Sequence, residues 1–293
     1  MNNDRLLYRR GILQLVASGF FLSTAGIALR LVEQADGWQI LFYRSLALSI
    51  TILLILVFQK RSRFFNEFRG LGWNDCLLAV FLGTGFVAYV FALLYNTVAN
   101  ALFIFSCAPF VTGFLGWILL GERVATRTWF AIGVAMAGLA VMVGSELAVS
   151  HYLGTLLALW IPIAYAASII AVRRSKRDNM LVALCLAGLV AGGLSAFFVT
   201  DYALTPRDLI ISLYLGVFQV GVGFTLVVLG SRYVPAAQVG LLALVEPVLA
   251  PIWAWMGVGE VPGLATIVGG TIIFLAIGTD GILNIKSSES NSA

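Results

Sequence analysis

The sequence contains little charge, and this scarcity excludes an ordinary soluble domain. Of its 293 residues only 11% are Asp, Glu, Lys or Arg, whereas 60% are hydrophobic. A typical soluble domain is about a quarter charged and about half apolar. Because the excess of apolar side chains must face lipid, we predict an integral membrane protein.

Residues that bind metals or form disulfides are also rare. The chain has one histidine, His151, and three cysteines, Cys76, Cys107 and Cys185, with no CxxC spacing. We therefore expect no metal site and no disulfide framework. The chain also lacks a Walker-type glycine-rich loop for ATP, and we predict no cofactor.

Apolar residues occur in long blocks. A helix needs about 20 such residues to cross the hydrocarbon layer of a bilayer. The blocks predict an all-α protein with ten transmembrane helices, at residues 11–31, 38–58, 74–95, 98–120, 127–145, 152–172, 180–200, 208–230, 236–257 and 263–283.

The basic residues predict the orientation of these helices. They punctuate the helix ends and do not form a basic domain, so we do not expect nucleic acid as a partner. If residues 1–10 are cytoplasmic, nearly all bases fall on the cytoplasmic side, as the positive-inside rule requires. We predict a multi-pass protein of the inner, or plasma, membrane, with both termini cytoplasmic and residues 284–293 forming a disordered tail.

The chain contains an internal repeat. When it is shifted by 138 residues, a Gly-x-Gly-Phe segment, a proline and a Gly-Glu pair coincide in the two halves. The matched pairs are Gly83 with Gly221, Phe86 with Phe224, Pro109 with Pro247, and Gly121-Glu122 with Gly259-Glu260. We predict repeats at residues 11–145 and 151–283. Since five spans per repeat is an odd number, the second repeat is inverted, as in secondary transporters.

These features resemble a known family. Ten spans arranged as five plus five, Arg44 within Phe42-Tyr43-Arg44-Ser45, and a proline with a terminal Gly-Glu in the fourth and ninth helices are similar to EamA-type drug/metabolite transporters. The resemblance implies a central cavity lined mainly by the first, third, fourth, sixth, eighth and ninth helices. It also implies transport of amino acids, their relatives or other small metabolites, often outward.

Glu246 is the strongest candidate for a functional residue. It is the acidic residue at the middle of a predicted span, where a charge costs roughly 2.5–3.5 kcal/mol on insertion scales. The carboxylate could bind a cationic group of the solute or take up a coupling proton. The alternative is a structural ion pair or a protonated carboxyl group bonded to a neighbouring helix.

Arg44 lies in the outer part of the second predicted helix. It could pair with Glu246, bind a carboxylate of the solute, or only support packing while its charged end reaches the interface. The family resemblance favours a structural or gating role.

Pro109 and Pro247 are predicted to bend their helices, because a proline has no N–H to donate to the fourth preceding carbonyl. Backbone freed in this way is tolerated where it contacts protein or lines a wet cavity. The bends could therefore offer polar backbone to a solute or could be simple packing kinks.

Several other side chains could line a solute cavity, which typically has apolar walls and a few hydrogen-bonding groups. These candidates are Tyr89, Asn100, Trp160, Tyr165 and Gln219. The Gly-x-Gly-Phe segments instead favour close helix packing, because small residues let helix backbones approach in lipid. Gly188 and Gly192 have GxxxG spacing, so that a monomer or a weak homodimer is predicted.

The sequence favours a secondary carrier whose partners are a small-molecule solute, the bilayer and a coupling proton. A membrane-embedded enzyme acting on lipid is an alternative, but the usual nucleophile with a base, or metal ligands, are not evident. A channel is a third alternative, although neither a ring of charge nor a filter-like segment is apparent.

Overall fold

The computed structural model describes residues 2–60, 64–95, 98–143, 152–175, 180–259, 261 and 263–290. All regular secondary structure in these ranges is helical. Helices suit a membrane protein because they satisfy their backbone hydrogen bonds internally. The first half contains α1 (Asn2–Leu22), α2 (Ala25–Arg30), α3 (Gly37–Lys60), α4 (Phe64–Arg69), α5 (Trp73–Tyr95), α6 (Val98–Phe105), α7 (Ala108–Leu120) and α8 (Thr126–Val143).

The second half repeats much of this order. It contains α9 (Tyr152–Arg174), α10 (Leu181–Ala196), α11 (Pro206–Tyr214), a π-helical segment (Leu215–Val222), α12 (Gly223–Gly230), α13 (Ala236–Ala243), α14 (Val245–Val258) and α15 (Leu264–Ser290). In place of the predicted disordered tail from residue 284, α15 continues to Ser290. Likewise α1 begins at Asn2, before the predicted start of the first span.

Each of the ten predicted spans coincides with helix in the described ranges. Eight helical segments are long and apolar enough to cross a membrane. The other two, Thr126–Val141 and Leu181–Ala196, are apolar but shorter. The structure therefore confirms an all-helical membrane architecture over the described residues, with eight candidate spans and two shorter helices.

Three spans are interrupted. The first breaks between α1 and α2 at Ser23 and Thr24, whose hydroxyl groups bond to the carbonyls of Phe20 and Phe21. Such bonding from Ser and Thr competes with the helix and often bends it. The other two breaks separate α6 from α7 and α13 from α14, and the structure places Pro109 and Pro247 in the first turns of α7 and α14.

Features of the backbone recur at the repeat spacing of 138 residues. The α6–α7 break at Ser106 corresponds to the α13–α14 break at Leu244. Helix α7 ends at Gly121 with φ of 68°, and α14 ends at Gly259 with φ of 72°. Both glycines adopt the left-handed conformation that commonly ends helices. Glu260, the partner of Glu122 in the sequence repeat, lies outside the described residues.

Helix packing follows the same repeat. Helix α5 packs along α9, and in the same way α12 of the second repeat packs along α1 of the first. Corresponding helices also pack on each other, α3 with α10 and α8 with α15, and α7 packs on α13, which is the counterpart of α6. The centre of the molecule is therefore built from both repeats.

Glycines bring these helices close together. A Cβ on Gly83 would lie 2.8 Å from the carbonyl oxygen of Ala187, and a Cβ on Gly223 would lie 2.9 Å from the side chain of Leu22. This close packing confirms the interpretation of the Gly-x-Gly-Phe segments. Gly188 packs against Ser49 and Leu48 of the same chain. The GxxxG spacing therefore serves packing within the chain and gives no support for a dimer.

Candidate functional site

A cavity lies at the centre of the helices. Its lining comes from both repeats and includes five residues that the sequence singled out. The lining residues are Leu15, Ser18, Gly19, Leu22, Arg44, Leu82, Gly85, Phe86, Tyr89, Phe105, Ile161, Tyr165, Gln219, Phe224, Val239, Ala243 and Glu246.

Glu246 lies in the first turn of α14, directly after the helix break. Only 5% of its surface is exposed. The hydroxyl of Tyr89 donates a hydrogen bond to its Oε1 atom at 2.7 Å. The first turn of a helix favours a negative charge because unpaired N–H groups point toward it. The break between α13 and α14 thus places a carboxyl group in the cavity where the local backbone stabilises its charge.

Arg44 faces the same cavity from α3, and only 4% of its surface is exposed. Its guanidinium carbon lies 5.5 Å from the centroid of the Phe86 ring and 5.9 Å from that of Tyr89. Among the described residues no hydrogen bond or ion pair involves this guanidinium. Arg44 is therefore a buried cation that lies against aromatic faces, and its N–H donors are not used by the residues that the structure describes.

The walls of the cavity are mainly apolar, and five of the lining residues are aromatic. Phe86 and Phe224, which correspond to each other in the sequence repeat, pack edge to face with ring centroids 5.0 Å apart. Tyr165 packs edge to face on Phe105 at 5.7 Å. Such walls, with a few placed polar groups, are typical of sites for small molecules.

The cavity is small. It leaves about 40 Å³ for the centres of water molecules. Since one water needs roughly 10–15 Å³ on this measure, the cavity has room for about three waters. A solute that replaces them without movement of the helices must be correspondingly small.

Among the predicted site residues whose side chains are described, Trp160 is not one of those that line the cavity. The indole N–H of Trp160 donates to the hydroxyl of Thr84 at 3.1 Å, so this side chain links α9 to α5. The cavity lining includes Ile161 and Tyr165 of the same helix but not Trp160, whose role in binding stays a prediction. Asn100 belongs to α6, but its side chain lies outside the described residues.

At one end of the helix bundle, an ion pair and several backbone hydrogen bonds form a group that we call the Arg173 cluster. It consists of Arg173, Glu122 and backbone groups of Ser231, Val234 and Ala236. The Nε atom of Arg173 donates to Glu122 at 2.7 Å, and the guanidinium also donates to the carbonyls of Ser231, at 3.0 Å, and Val234. The second oxygen of Glu122 accepts from the N–H of Ala236 at 2.9 Å. The ends of α7 and α9 are thus joined to the loop before α13.

The opposite end is tied by a second group, which we call the Asp208 cluster. The carboxylate of Asp208 is fully buried and accepts hydrogen bonds from the N–H groups of Glu33, Gln34 and Ala35, at 2.9, 3.0 and 3.1 Å. The hydroxyl of Thr205 caps α11 by accepting from the N–H of Asp208. The loop between α2 and α3 is therefore fixed to the start of α11.

Comparison with known proteins shows to which family a chain with this architecture belongs. A model of the EamA-like transporter family matches residues 9–144 and again residues 152–279. The chain belongs to the EamA-like transporter family. The two matches confirm the resemblance found in the sequence and coincide with the two predicted repeats. As a member of this family the chain is a multi-pass membrane protein and a transporter.

Individual relatives agree with this assignment. An uncharacterized transporter of Archaeoglobus fulgidus is 28% identical over 202 residues, which are 68% of this chain and 73% of the relative. The uncharacterized transporter YwfM of Bacillus subtilis is 26% identical over 176 residues, which are 58% of this chain and 60% of YwfM. A solved crystal structure of another protein is similar in fold, with a TM-score of 0.77 and 19% identity over 97% of this chain and 98% of that chain.

Sequence reasoning missed most of the apolar lining of the EamA-like cavity. Phe86, Phe105 and Phe224 were not distinguished from the many aromatic residues that face lipid, because both settings are apolar. Phe86 and Phe224 had a usable signal, since each follows a Gly-x-Gly segment at the repeat spacing. The contribution of α1 was expected from the family resemblance, which places the first helix at the cavity, but its individual residues Leu15, Ser18 and Leu22 were not singled out.

Proposed function

We propose that this EamA-like chain is a secondary active transporter that moves a small organic metabolite, an amino acid or a related compound, outward by alternating access. The observation that carries the proposal is the central cavity, in which the guanidinium of Arg44, whose N–H groups bond to none of the described residues, shares the space with the carboxyl group of Glu246. The outward direction rests on the family resemblance.

The proposed architecture is ten transmembrane helices in two inverted repeats. The recurring breaks before Pro109 and Pro247 and the recurring left-handed glycines support the repeat. Five spans in each copy require opposite orientations in the membrane. Inverted repeats suit alternating access because either repeat can rock against the other around a central site.

The chemistry of the cavity supports a solute that carries both charges. A guanidinium that forms no hydrogen bond or ion pair with the described residues is a suitable donor for a carboxylate, which it can bind through two N–H groups. The carboxylate of Glu246 can accept from an ammonium group. Tyr89, whose ring contacts Arg44 and whose hydroxyl bonds to Glu246, would hold the two charged groups apart at a fixed spacing.

Proton coupling is the second role that we propose for Glu246. A carboxyl group buried in a membrane protein is a natural site for uptake and release of a proton. Protonation would remove the negative charge that attracts an ammonium group, so that the proton and the solute would compete for this residue. Such competition is one way to couple two fluxes.

The two tied ends support a closed state within an alternating cycle. We propose that the Arg173 cluster closes the cytoplasmic end and the Asp208 cluster closes the outer end. The positive-inside pattern supports this orientation, with both termini cytoplasmic in an inner, or plasma, membrane. Labelling of a cysteine introduced at Ser287 by a membrane-impermeant reagent in intact cells would contradict it.

Counterflow in proteoliposomes tests the function. Vesicles loaded with unlabelled amino acids should accumulate the same labelled amino acid transiently, and vesicles without protein should not. A membrane enzyme would instead give a chemically changed product, and a channel would give conductance without exchange. Either result would contradict the proposed carrier.

A further inference from the structure

The π-helical segment Leu215–Val222 is a place where the backbones of the two repeats differ. Its counterpart at the repeat spacing, residues 77–84, belongs to the regular helix α5. Short π-helical segments are rare, and those that do form are frequently located at functional sites. A different backbone at this position can place a different side chain in the cavity.

The segment changes which residue faces the cavity. In the first repeat Leu82 and Phe86 line the cavity, and their counterparts in the sequence are Val220 and Phe224. Phe224 lines the cavity as expected, but Val220 is fully buried and is not among the lining residues. The cavity position is occupied by Gln219 instead. Because a π-helical turn holds an extra residue, it shifts the register by one position and turns the amide inward.

The amide of Gln219 is incompletely bonded. Only 2% of its surface is exposed, and its Nε2 atom donates a long hydrogen bond to the carbonyl of Leu22 at 3.4 Å. Among the described residues its Oε1 atom has no hydrogen-bond partner. A buried acceptor without a partner destabilises a fold. Its presence in the cavity is explained if a ligand supplies the missing donor.

We propose that Gln219 determines the specificity of the transporter, with Oε1 accepting a hydrogen bond from a neutral O–H or N–H group of the solute. This inference rests on the proposed function, in which Arg44 and Glu246 bind the charged groups. The solute class is thereby narrowed to small amphoteric molecules that carry an additional donor, such as a hydroxyl group.

Gln238 provides a matched control, because it is also buried but is bonded at both ends of its amide. Its Oε1 atom accepts from the hydroxyl of Tyr8 at 2.9 Å, and its Nε2 atom donates to Asp280 at 3.4 Å. It lines a different crevice, between α1, α13 and α15. Removing this amide breaks existing bonds, whereas removing that of Gln219 chiefly removes an unused acceptor.

Thermal unfolding of the purified, solute-free chain is the first test. Gln219→Leu should raise the apparent unfolding temperature by about 2 °C, because an unsatisfied buried group is replaced by an apolar one. Gln238→Leu should lower it. A fall with Gln219→Leu similar to that with Gln238→Leu would overturn the inference, since Gln219 would then be a structural residue.

Solute discrimination is the second test, with L-serine and L-2-aminobutyrate as probes that differ by a hydroxyl in place of a methyl group. Competition in counterflow should show a preference of about 2- to 10-fold for serine in the wild type, which is the range expected for one neutral hydrogen bond. Gln219→Leu should reduce this preference to about one. An unchanged preference in that variant would overturn the inference. If neither probe competes but Gln219→Leu is more stable, the amino-acid class alone is contradicted, and the raised stability still supports an acceptor reserved for a ligand.

Discussion

The α6–α7 and α13–α14 segments have the same construction but different chemistry. Each is a broken helix with a proline in the first turn after the break and a left-handed glycine at its end. At the repeat spacing Ala108 corresponds to Glu246, so that one copy has a fully buried methyl group where the other has a carboxyl group. The repeat therefore accounts for the geometry of the breaks, and the charge belongs to one copy alone.

Removing the charge that distinguishes the two segments should have the largest effect. We expect Glu246→Gln to slow transport by roughly 10- to 150-fold, the range for loss of a hydrogen bond to a charged group. Ala108→Ser, which adds a small polar group at the corresponding position, should change the rate by less than about twofold. Counterflow in proteoliposomes measures both.

The pH profile distinguishes a functional carboxyl group from a structural one. If Glu246 exchanges a proton during transport, Glu246→Gln should also flatten the dependence of the rate on pH. A folded and inserted Glu246→Gln chain that transports at the wild-type rate with an unchanged profile would make Glu246 a structural residue only.

An intermediate effect is expected from Glu122, which follows the left-handed glycine of the first segment. Glu122→Gln should weaken the Arg173 cluster by about 1 kcal/mol, because its ion pair is partly exposed. In a chain without native cysteines, a cysteine at Ser18 in the cavity should then react about fivefold faster with a reagent added from the cytoplasmic side.

The half-exposed ion pair of Arg207 and Glu33 at the opposite end gives a control for this measurement. Arg207→Gln should leave the labelling rate within about twofold of the wild type, since exposed pairs contribute little. If both substitutions accelerate labelling equally, loss of a charge at either end has the same effect on access to the cavity. That result would contradict a specific role for the Arg173 cluster in closure.

Effects on stability that leave transport chemistry untouched should be shared equally by the two segments. Gly121→Ala and Gly259→Ala each force a left-handed conformation on alanine, at a cost of about 1–2 kcal/mol. A Cβ at either position would meet no atom within 4 Å, so that conformation alone decides the outcome. We expect each apparent unfolding temperature to fall by about 2–4 °C per kcal/mol.

Gly133 in α8 is the matched control for the glycine pair, because a Cβ there also meets no atom within 4 Å but the backbone is helical. Gly133→Ala should be neutral or stabilising. A large fall for only one of Gly121 and Gly259 would mean that the two segment ends are not equivalent.

Much of the fold could be predicted from the sequence, because lipid imposes a simple rule of length and polarity. Glu246 and Arg44 could be identified by the same rule, because each is a charged residue within an apolar span. It could not separate Trp160, which binds Thr84, from Tyr165, which faces the cavity, since both are aromatic residues in one apolar helix. Nor could it reveal the π-helical segment, which depends on how the eighth span packs against its neighbours.

The Arg173 cluster also bears on how abruptly the transporter can change state. A single side chain, that of Arg173, contacts Glu122 and the carbonyls of Ser231 and Val234 through its guanidinium. When this group leaves, its bonds to Glu122, Ser231 and Val234 are lost together, so that α9 is released from the end of α7 and from the loop before α13 in one event. The bond from the N–H of Ala236 to Glu122 still joins the end of α7 to the start of α13. Release of α9 at this end should therefore be an all-or-none step with a single rate constant.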